Sequence, residues 1–186
     1  IYVLGRRGAA QAKFTTPEIK EFGDLLVADP VVRAGEIDLA DAVLDKTARR
    51  NLEILARYAQ RTPAKPRRVH FRFLVSPVEI LGATRVTAIK LVRNVMRATA
   101  SGDLASEPTE DFESLDCGLI LRSVGYKGVA LPGVPYDQRT GTLPNDGGRV
   151  LSAPGRQPVP GEYVAGWAKR GPSGVIGTNK ACADAT

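Results

Sequence analysis

The most informative stretch of this chain is residues 161–179, GEYVAGWAKRGPSGVIGTN. Its alternating start predicts a short buried strand over residues 163–165. Trp167 follows that strand, and residues 174–179 predict the start of a helix beyond a polar turn. The free amides and the positive dipole end of a helix N-terminus favour negative charge. We therefore expect a planar, electron-rich cofactor to fit beside the tryptophan and the helix.

The amino-terminal third of the chain predicts a strand followed by two helices. Residues 1–4 are apolar and predict the tail of a buried strand. Thr16 is expected to cap a helix that runs to about Val27. Apolar residues at helical spacing predict a longer helix from near Asp38 to Thr62.

The hydrophobic period then changes from helical to alternating. We expect two strands, over residues 69–75 and 85–95. A loop over 100–114 and a buried central strand over 115–124 should follow. Residues 128–161 are rich in glycine and proline and are expected to be irregular, apart from a short strand over 149–151. This order predicts an α/β fold with an antiparallel insertion and a boundary near Gly125.

Composition excludes several classes of protein. No apolar run approaches the roughly 20 residues of a membrane helix, and no signal peptide is visible. Cys117 and Cys182 do not make a disulfide framework and fit a reducing cytosol, so we expect a cytoplasmic protein. His70 is interpreted as a strand side chain, and no metal-ligand spacing is present.

The basic excess is concentrated in one region. The formal net charge is +6, and nine basic residues lie between Lys46 and Arg72 against one acid, Glu53. Such a face attracts an anionic partner, either nucleic acid or an acidic protein, and charge alone does not distinguish them.

Arg6 and Arg7 follow the first predicted strand within the sequence GRRG. In dinucleotide-binding folds, arginine near a strand end accommodates the 2′-phosphate of NADP, and forked guanidinium groups pair well with phosphate. Arginine pairs are also common on surfaces, so both interpretations stay open. Glu18 is explained by capping in the first turn of a helix, with a ligand contact as the alternative.

Four blocks of the sequence resemble, in order, one enzyme family: residues 1–22, 71–82, 121–150 and 161–180. The blocks include IYVLGRRGAAQAKFTTPEIKEF, FRFLVSPVEILG, LRSVGYKGVALPGVPYDQRTGTLPNDGGRV and GEYVAGWAKRGPSGVIGTNK. They are similar to the adrenodoxin-reductase type of ferredoxin–NADP reductase, in its actinobacterial style. Trp167 stands where related flavoproteins usually carry an aspartate, which supports this subfamily.

The resemblance implies a Rossmann-like NADP domain, of the glutathione-reductase type, that interrupts an FAD domain. Residues 1–124 would be the later part of the NADP domain, and residues 125–186 the returning part of the discontinuous FAD domain. The two glycine-rich fingerprints of the family would precede Ile1. The chain is therefore expected to be a fragment, inactive when isolated.

The resemblance also implies the site residues. Those expected to contact NADP are Arg6, Arg7, Glu18 and Gly174. Those expected to contact FAD are Trp167 and the backbone of Gly174, Val175 and Ile176. Candidates for docking an acidic, ferredoxin-like iron–sulfur protein are Lys20, Arg49, Arg50 and Arg57.

The implied function is that of an oxidoreductase in electron transport. An NADPH-dependent flavoprotein reductase would pass electrons from NADPH through FAD to the iron–sulfur protein, with no catalytic side chain and no metal. The alternatives are a basic nucleic-acid-binding module and a non-catalytic remnant. The nucleic-acid alternative is weakened because only 6% of the residues are aromatic and no stacking pattern is present.

Overall fold

The computed structural model describes residues 1–37, 44–100, 102, 104–174 and 176–186. The described chain divides into two compact units, Ile1–Ile120 and Leu121–Thr186. Both units contain helices and strands, which confirms the α/β class predicted from the sequence.

The first unit contains a three-stranded parallel sheet in the order β1, β3, β2. The strands are β1 (Tyr2–Leu4), β2 (Ala28–Val32) and β3 (Arg67–Arg72). In the central strand β3, His70 pairs with Tyr2 on one side and with Val31 on the other. Because the strands are parallel, their carboxyl ends meet at one edge of the sheet.

Two helices connect these strands and share an apolar core with them. Helix α1 (Thr16–Asp24) precedes β2, and helix α2 (Lys46–Gln60) precedes β3. The core includes Ile19 of α1, Leu52 of α2 and Phe71 of β3. The helices are also joined by the Tyr58 hydroxyl, which donates to the Ile19 carbonyl at 2.9 Å.

Helix α1 begins and ends differently from the prediction. Thr15, not Thr16, caps α1, and α1 ends at Asp24 rather than at about Val27. Leu26 is 92% exposed, so its apolar side chain does not extend the helix into the core. Helix α2 begins at Lys46 because the Asp45 carboxylate caps it by accepting from the Ala48 amide at 2.8 Å. The predicted start near Asp38 lies outside the described residues.

A second, antiparallel sheet in this unit has the order β4, β5, β6. Its strands are β4 (Val75–Leu81), β5 (Ala88–Ala98) and β6 (Leu104–Asp116). The predicted loop over 100–114 is therefore wrong, because most of it forms the 13-residue strand β6. The predicted strand over 115–124 is also wrong beyond Asp116, and Leu121 and Val124 are each 83% exposed.

The second unit carries a small antiparallel sheet and two helices. The strands are β7 (Asn145–Asp146), β8 (Arg149–Leu151) and β9 (Pro158–Tyr163), in that order across the sheet. The strand predicted over 149–151 is confirmed. The strand predicted over 163–165 lies earlier, because β9 ends at Tyr163 and only Val164 of the predicted three is buried. Helices α3 (Trp167–Arg170) and α4 (Ile176–Asp184) follow.

Among the described residues, none of the helices is long and apolar enough to cross a membrane.

Candidate functional site

The candidate site begins at the carboxyl edge of the parallel sheet, where β1 ends. Arg6 and Arg7 come directly after Gly5, one residue past the strand, and both side chains are exposed. The pair therefore lies where the sequence pattern predicted it. Exposure at this edge leaves the guanidinium groups accessible to an anion.

The backbone that carries the two arginines is fixed by hydrogen bonds to β3, β4 and β5. Four bonds hold it: Gly5 N to Arg72 O at 2.8 Å, Val75 N to Gly5 O at 3.1 Å, Leu74 N to Arg7 O at 3.1 Å, and Asn94 Nδ2 to Arg6 O at 2.8 Å. The residues form a short, pinned loop, so little conformational freedom remains to be lost when a ligand binds.

The two arginine side chains differ in their contacts. Arg7 Nη2 donates to the Leu104 carbonyl at 3.0 Å, which orients this guanidinium and leaves its other donors available. Within the described ranges, the Arg6 guanidinium makes no hydrogen bond or ion pair. A phosphate of charge near −2 supplies the acceptors that two forked guanidinium groups need.

A buried ion network is connected to this loop through Arg72, whose carbonyl accepts from the Gly5 amide. Arg72 is 2% exposed, and its Nε and Nη2 contact Glu36 Oε1 at 3.1 Å and Glu113 Oε1 at 2.6 Å. Burial acts against the charged form of Arg72, but the hydrogen bonds that it donates to Glu113 and Glu36 raise its pKa overall. Glu36 Oε2 also accepts from the Phe73 amide at 2.7 Å. The network therefore joins the parallel sheet to β6.

Glu18 forms a capping box with Thr15 at the start of α1. Glu18 Oε2 accepts from the Thr15 amide at 2.6 Å, and the Thr15 hydroxyl accepts from the Glu18 amide at 3.4 Å. Hydrogen bonding lowers the pKa of Glu18, and the bond from the Thr15 backbone amide has the largest effect. The side chain is exposed, so one carboxylate oxygen stays accessible while the other caps the helix.

In the second unit, Trp167 begins the short helix α3. Its ring is 44% exposed and stacks on Tyr126, with ring centroids 6.1 Å apart. Tyr126 is itself 75% exposed. The pair therefore offers a flat aromatic surface to solvent, whereas a core tryptophan would be covered.

Gly174 lies in the turn between α3 and α4 and has a φ of 77°, a conformation that glycine adopts without strain. A Cβ added there would collide with the Thr178 hydroxyl. The turn is held by Arg170, whose Nη2 donates to Asn179 Oδ1 at 2.6 Å and whose Nη1 donates to the Ser173 hydroxyl at 3.0 Å. The glycine therefore keeps the backbone bare just before helix α4.

The remaining predicted flavin contacts are only partly described. Val175 lies outside the described residues, and for Ile176 only its place as the first residue of α4 is described. The helix predicted after the glycine-rich turn is thus present as α4, which has nine residues.

Comparison with curated proteins gives long, continuous matches to reductases. NADPH-ferredoxin reductase FprA of Mycobacterium tuberculosis is 45% identical over 185 residues, which is 97% of this chain and 39% of that protein. The mitochondrial NADPH:adrenodoxin oxidoreductase of Arabidopsis thaliana is 35% identical over 205 residues, covering 100% and 42%. Over almost its whole length, the chain is similar to part of the ferredoxin–NADP reductases of the adrenodoxin-reductase type.

Solved structures of this reductase family show the same fold. The structure of Mycobacterium tuberculosis FprA in complex with NADPH matches with a TM-score of 0.89 at 45% identity. That match covers 100% of this chain and 40% of the FprA chain. The chain spans about two fifths of the length of the reductases it matches. No protein-family model matches the chain.

The basic residues predicted to dock the partner of the reductase lie on the helices of the first unit. Lys20 is exposed on α1, and Arg49, Arg50 and Arg57 are exposed on α2. In the described part of the chain, none of these four forms an ion pair, and Glu53 forms none either. Their charges are therefore available to an acidic partner.

Other members of the basic cluster are neutralised within the fold. Asp29 lies 3.6 Å from Lys65 Nζ and 4.0 Å from Arg61 Nη1, and Arg72 is paired as described. The free positive charge is thus smaller than the composition suggests. In the described residues, the exposed basic residues of α2 that form no ion pair include Arg49, Arg50 and Arg57.

Sequence reasoning missed three residues that shape the site: Asn94, Arg72 and Arg170. Asn94 and Arg72 act through contacts with distant parts of the chain, and Arg170 acts across a turn. None of the three belongs to a sequence motif, so no pattern could have indicated them. His70 is a strand side chain as predicted, stacked on Tyr2 with ring centroids 4.8 Å apart. The described residues contain no group of three or more metal-ligating side chains.

Proposed function

We propose that this chain is the coenzyme-selecting and flavin-contacting part of an NADPH-dependent flavoprotein reductase that delivers electrons to a ferredoxin-like iron–sulfur protein. The observation that carries the proposal is the exposed arginine pair, Arg6 and Arg7, at the carboxyl end of β1 on a pinned loop. The similarity to FprA solved in complex with NADPH supports the same assignment.

The proposed roles follow the two units of the chain. Residues 1–124 would be the later part of a Rossmann-like NADP domain, and residues 125–186 the returning part of a discontinuous FAD domain. Arg6 and Arg7 would bind the 2′-phosphate of NADP, while Glu18 would contact the same nucleotide with the carboxylate oxygen that does not cap α1. Their unpaired donors and acceptor fit this ligand.

The second unit fits a flavin by its shape and polarity. Trp167 supplies an exposed aromatic face, and the bare backbone at Gly174 precedes the N-terminus of α4. Bound FAD supplies the conversion between two-electron transfer from NADPH and one-electron transfer to an iron–sulfur centre. The free amides at the start of α4 would favour negative charge on its ring system, and Gly174 would also border the nicotinamide.

The residues of the chain would bind and orient rather than transfer protons. The described site has no paired nucleophile and base, and the proposed reaction needs none. The electron acceptor is proposed to be acidic because Lys20, Arg49, Arg50 and Arg57 present unpaired positive charge. Cys117 and Cys182 are both free thiols, which is consistent with a reductase located in the reducing cytoplasm.

The test is the coenzyme selectivity of the complete reductase after Arg6→Ala and Arg7→Ala, singly and together. A hydrogen bond to a charged group contributes about 1.5–3 kcal/mol, which corresponds to roughly tenfold or more for each arginine. We expect kcat/KM for NADPH to fall by at least that factor, with kcat/KM for NADH unchanged.

The matched control is Arg156→Ala, which removes an exposed arginine from the second unit. This variant should leave kcat/KM unchanged for both NADPH and NADH. Equal losses for NADPH and NADH in the Arg6 and Arg7 variants would refute the 2′-phosphate assignment.

A further inference from the structure

Asn94 is a buried polar residue in the middle of strand β5. It lies on β5 at an irregularity in the pairing with β6, and it is 4% exposed. Leu91 and Val92, three and two residues earlier in the strand, are buried apolar residues. A buried amide is costly unless its polar atoms are hydrogen-bonded. The partners of this amide therefore indicate its role.

The Asn94 side chain contacts the arginine loop directly. Nδ2 donates to the Arg6 carbonyl at 2.8 Å and to the Ser76 hydroxyl at 2.8 Å. The bond to Arg6 joins residues 88 positions apart in the sequence. Asn94 is thus the link by which the antiparallel sheet fixes the peptide group between the two arginines.

The Asn94 backbone holds the same loop by a second route. Its amide donates to the Leu74 carbonyl at 2.8 Å, and the Leu74 amide donates to the Arg7 carbonyl at 3.1 Å. Leu74 has a φ of 55°, and it is the only non-glycine residue with positive φ in the described ranges. This unusual conformation lets Leu74 bridge β5 and the loop. The carbonyls of both arginines therefore depend on Asn94, one directly and one through Leu74.

We infer that Asn94 is a positioning residue for coenzyme selectivity, which holds the peptide between Arg6 and Arg7 so that both guanidinium groups meet the 2′-phosphate together. This inference rests on the proposed function. Asn94 acts through the loop and does not touch the nucleotide. An apolar residue of similar size would fill the same space in β5 and would leave the Arg6 carbonyl without its donor.

The experiment compares Asn94→Leu and Asn94→Ala in the complete reductase, with kcat and KM measured for NADPH and NADH. Losing one neutral hydrogen bond costs about 0.5–1.5 kcal/mol, so we expect NADPH selectivity to fall by about three- to tenfold. The fall should come from KM for NADPH, with kcat and the NADH parameters unchanged. Asn94→Ala serves as the second variant because it removes the donor without adding apolar bulk.

The matched control is Thr109→Val, which removes a side-chain hydrogen bond to the backbone of β5 itself rather than to the arginine loop. The Thr109 hydroxyl donates to the Arg93 carbonyl at 3.0 Å, next to Asn94 in sequence. Thr109→Val should lower the melting temperature by a similar amount and leave selectivity intact. A loss of selectivity in Thr109→Val equal to that in the Asn94 variants would overturn the inference, because general loosening of the sheet would then explain it.

A double-mutant cycle separates this inference from the proposed function. In the Arg6→Ala/Arg7→Ala background, Asn94→Ala should have no further effect on the ratio of NADPH to NADH efficiency. If the arginine variants lose selectivity but the Asn94 variants keep it, the positioning role fails and the proposed function stands. If the arginine variants keep selectivity, the proposed function itself fails.

Discussion

Arg6 and Arg7 combine a fixed backbone with accessible side chains. Their carbonyls are bonded to Asn94 and Leu74, whereas the Arg6 guanidinium has no partner within the described ranges. Holding the backbone in advance lowers the entropy that binding would otherwise cost. Arginine is a common surface residue. In the proposed reductase, the position of the loop is what makes this pair selective for NADPH over NADH.

Glu18 shows how one carboxylate can serve both folding and binding. Its capping bonds lower its pKa from the ordinary value of 4.5. A carboxylate with a lowered folded-state pKa stabilises the fold fully above its unfolded pKa, and this contribution is lost as the pH falls through the folded value. We expect wild type to be more stable than Glu18→Gln at pH 7, and the difference in melting temperature to shrink below about pH 4.5.

Glu21→Gln is the control for that measurement. Glu21 is exposed on the same helix and makes no capping bond with the helix N-terminus. Its replacement should give a small change in melting temperature that lacks the acid-dependent loss. A Glu18→Gln difference that stays constant from pH 7 to pH 3 would contradict the capping account of Glu18.

Helix α2 is the element for which charge predicts a partner contact. Arg50 and Arg57 are seven residues apart, so they project from the same face of the helix. Both are exposed and unpaired in the described part of the chain. In Arg50→Glu/Arg57→Glu, we expect ferredoxin-dependent turnover at low salt to fall at least tenfold, with reduction of a small neutral dye unchanged.

Salt should affect the two electron acceptors differently. In wild type, ferredoxin-dependent turnover should decrease with ionic strength more steeply than dye reduction, because salt screens the approach of two charged proteins. Arg85→Glu/Arg156→Glu makes the same change in net charge at exposed positions that do not belong to α2, and should keep most of the salt dependence. Identical salt curves for ferredoxin and dye would count against electrostatic docking.

The elements that the sequence predicted well are those with a clear apolar period. Leu52 and Leu55 mark the buried face of α2, and Ile89 and Leu91 mark that of β5. Strand β2 escaped prediction because its sequence, ADPVV, contains aspartate and proline, which are rare in strands. Its Asp29 is accommodated by bonds from the amides of Ala64 and Lys65, both at 2.7 Å.

Strand β6 was missed for a different reason. It pairs on one side only, with β5, and most of its residues are exposed, so its sequence is acidic and lacks an alternating apolar pattern. The extended conformation of β6 therefore depends on its pairing with β5 and is not visible in its own sequence. Likewise, the arginine pair could be predicted from its place after the first strand, but Asn94 could not, because its contact with Arg6 crosses 88 residues and follows no motif.

For the whole molecule, the chain presents two sets of proposed coenzyme contacts on two units. The arginine pair belongs to Ile1–Ile120, and Trp167 and Gly174 belong to Leu121–Thr186. FprA is about two and a half times longer than this chain, which covers 39% of it. Coenzyme selectivity is therefore a property to be measured on the complete protein.

The most direct measurement is calorimetric binding of adenosine 2′,5′-bisphosphate and of 5′-AMP to the complete protein, with and without Arg6→Ala/Arg7→Ala. These two ligands differ only in the 2′-phosphate. We expect wild type to bind the bisphosphate at least tenfold more tightly, and the double variant to bind both ligands equally weakly. A preference for the bisphosphate that survives the loss of both arginines would contradict the account.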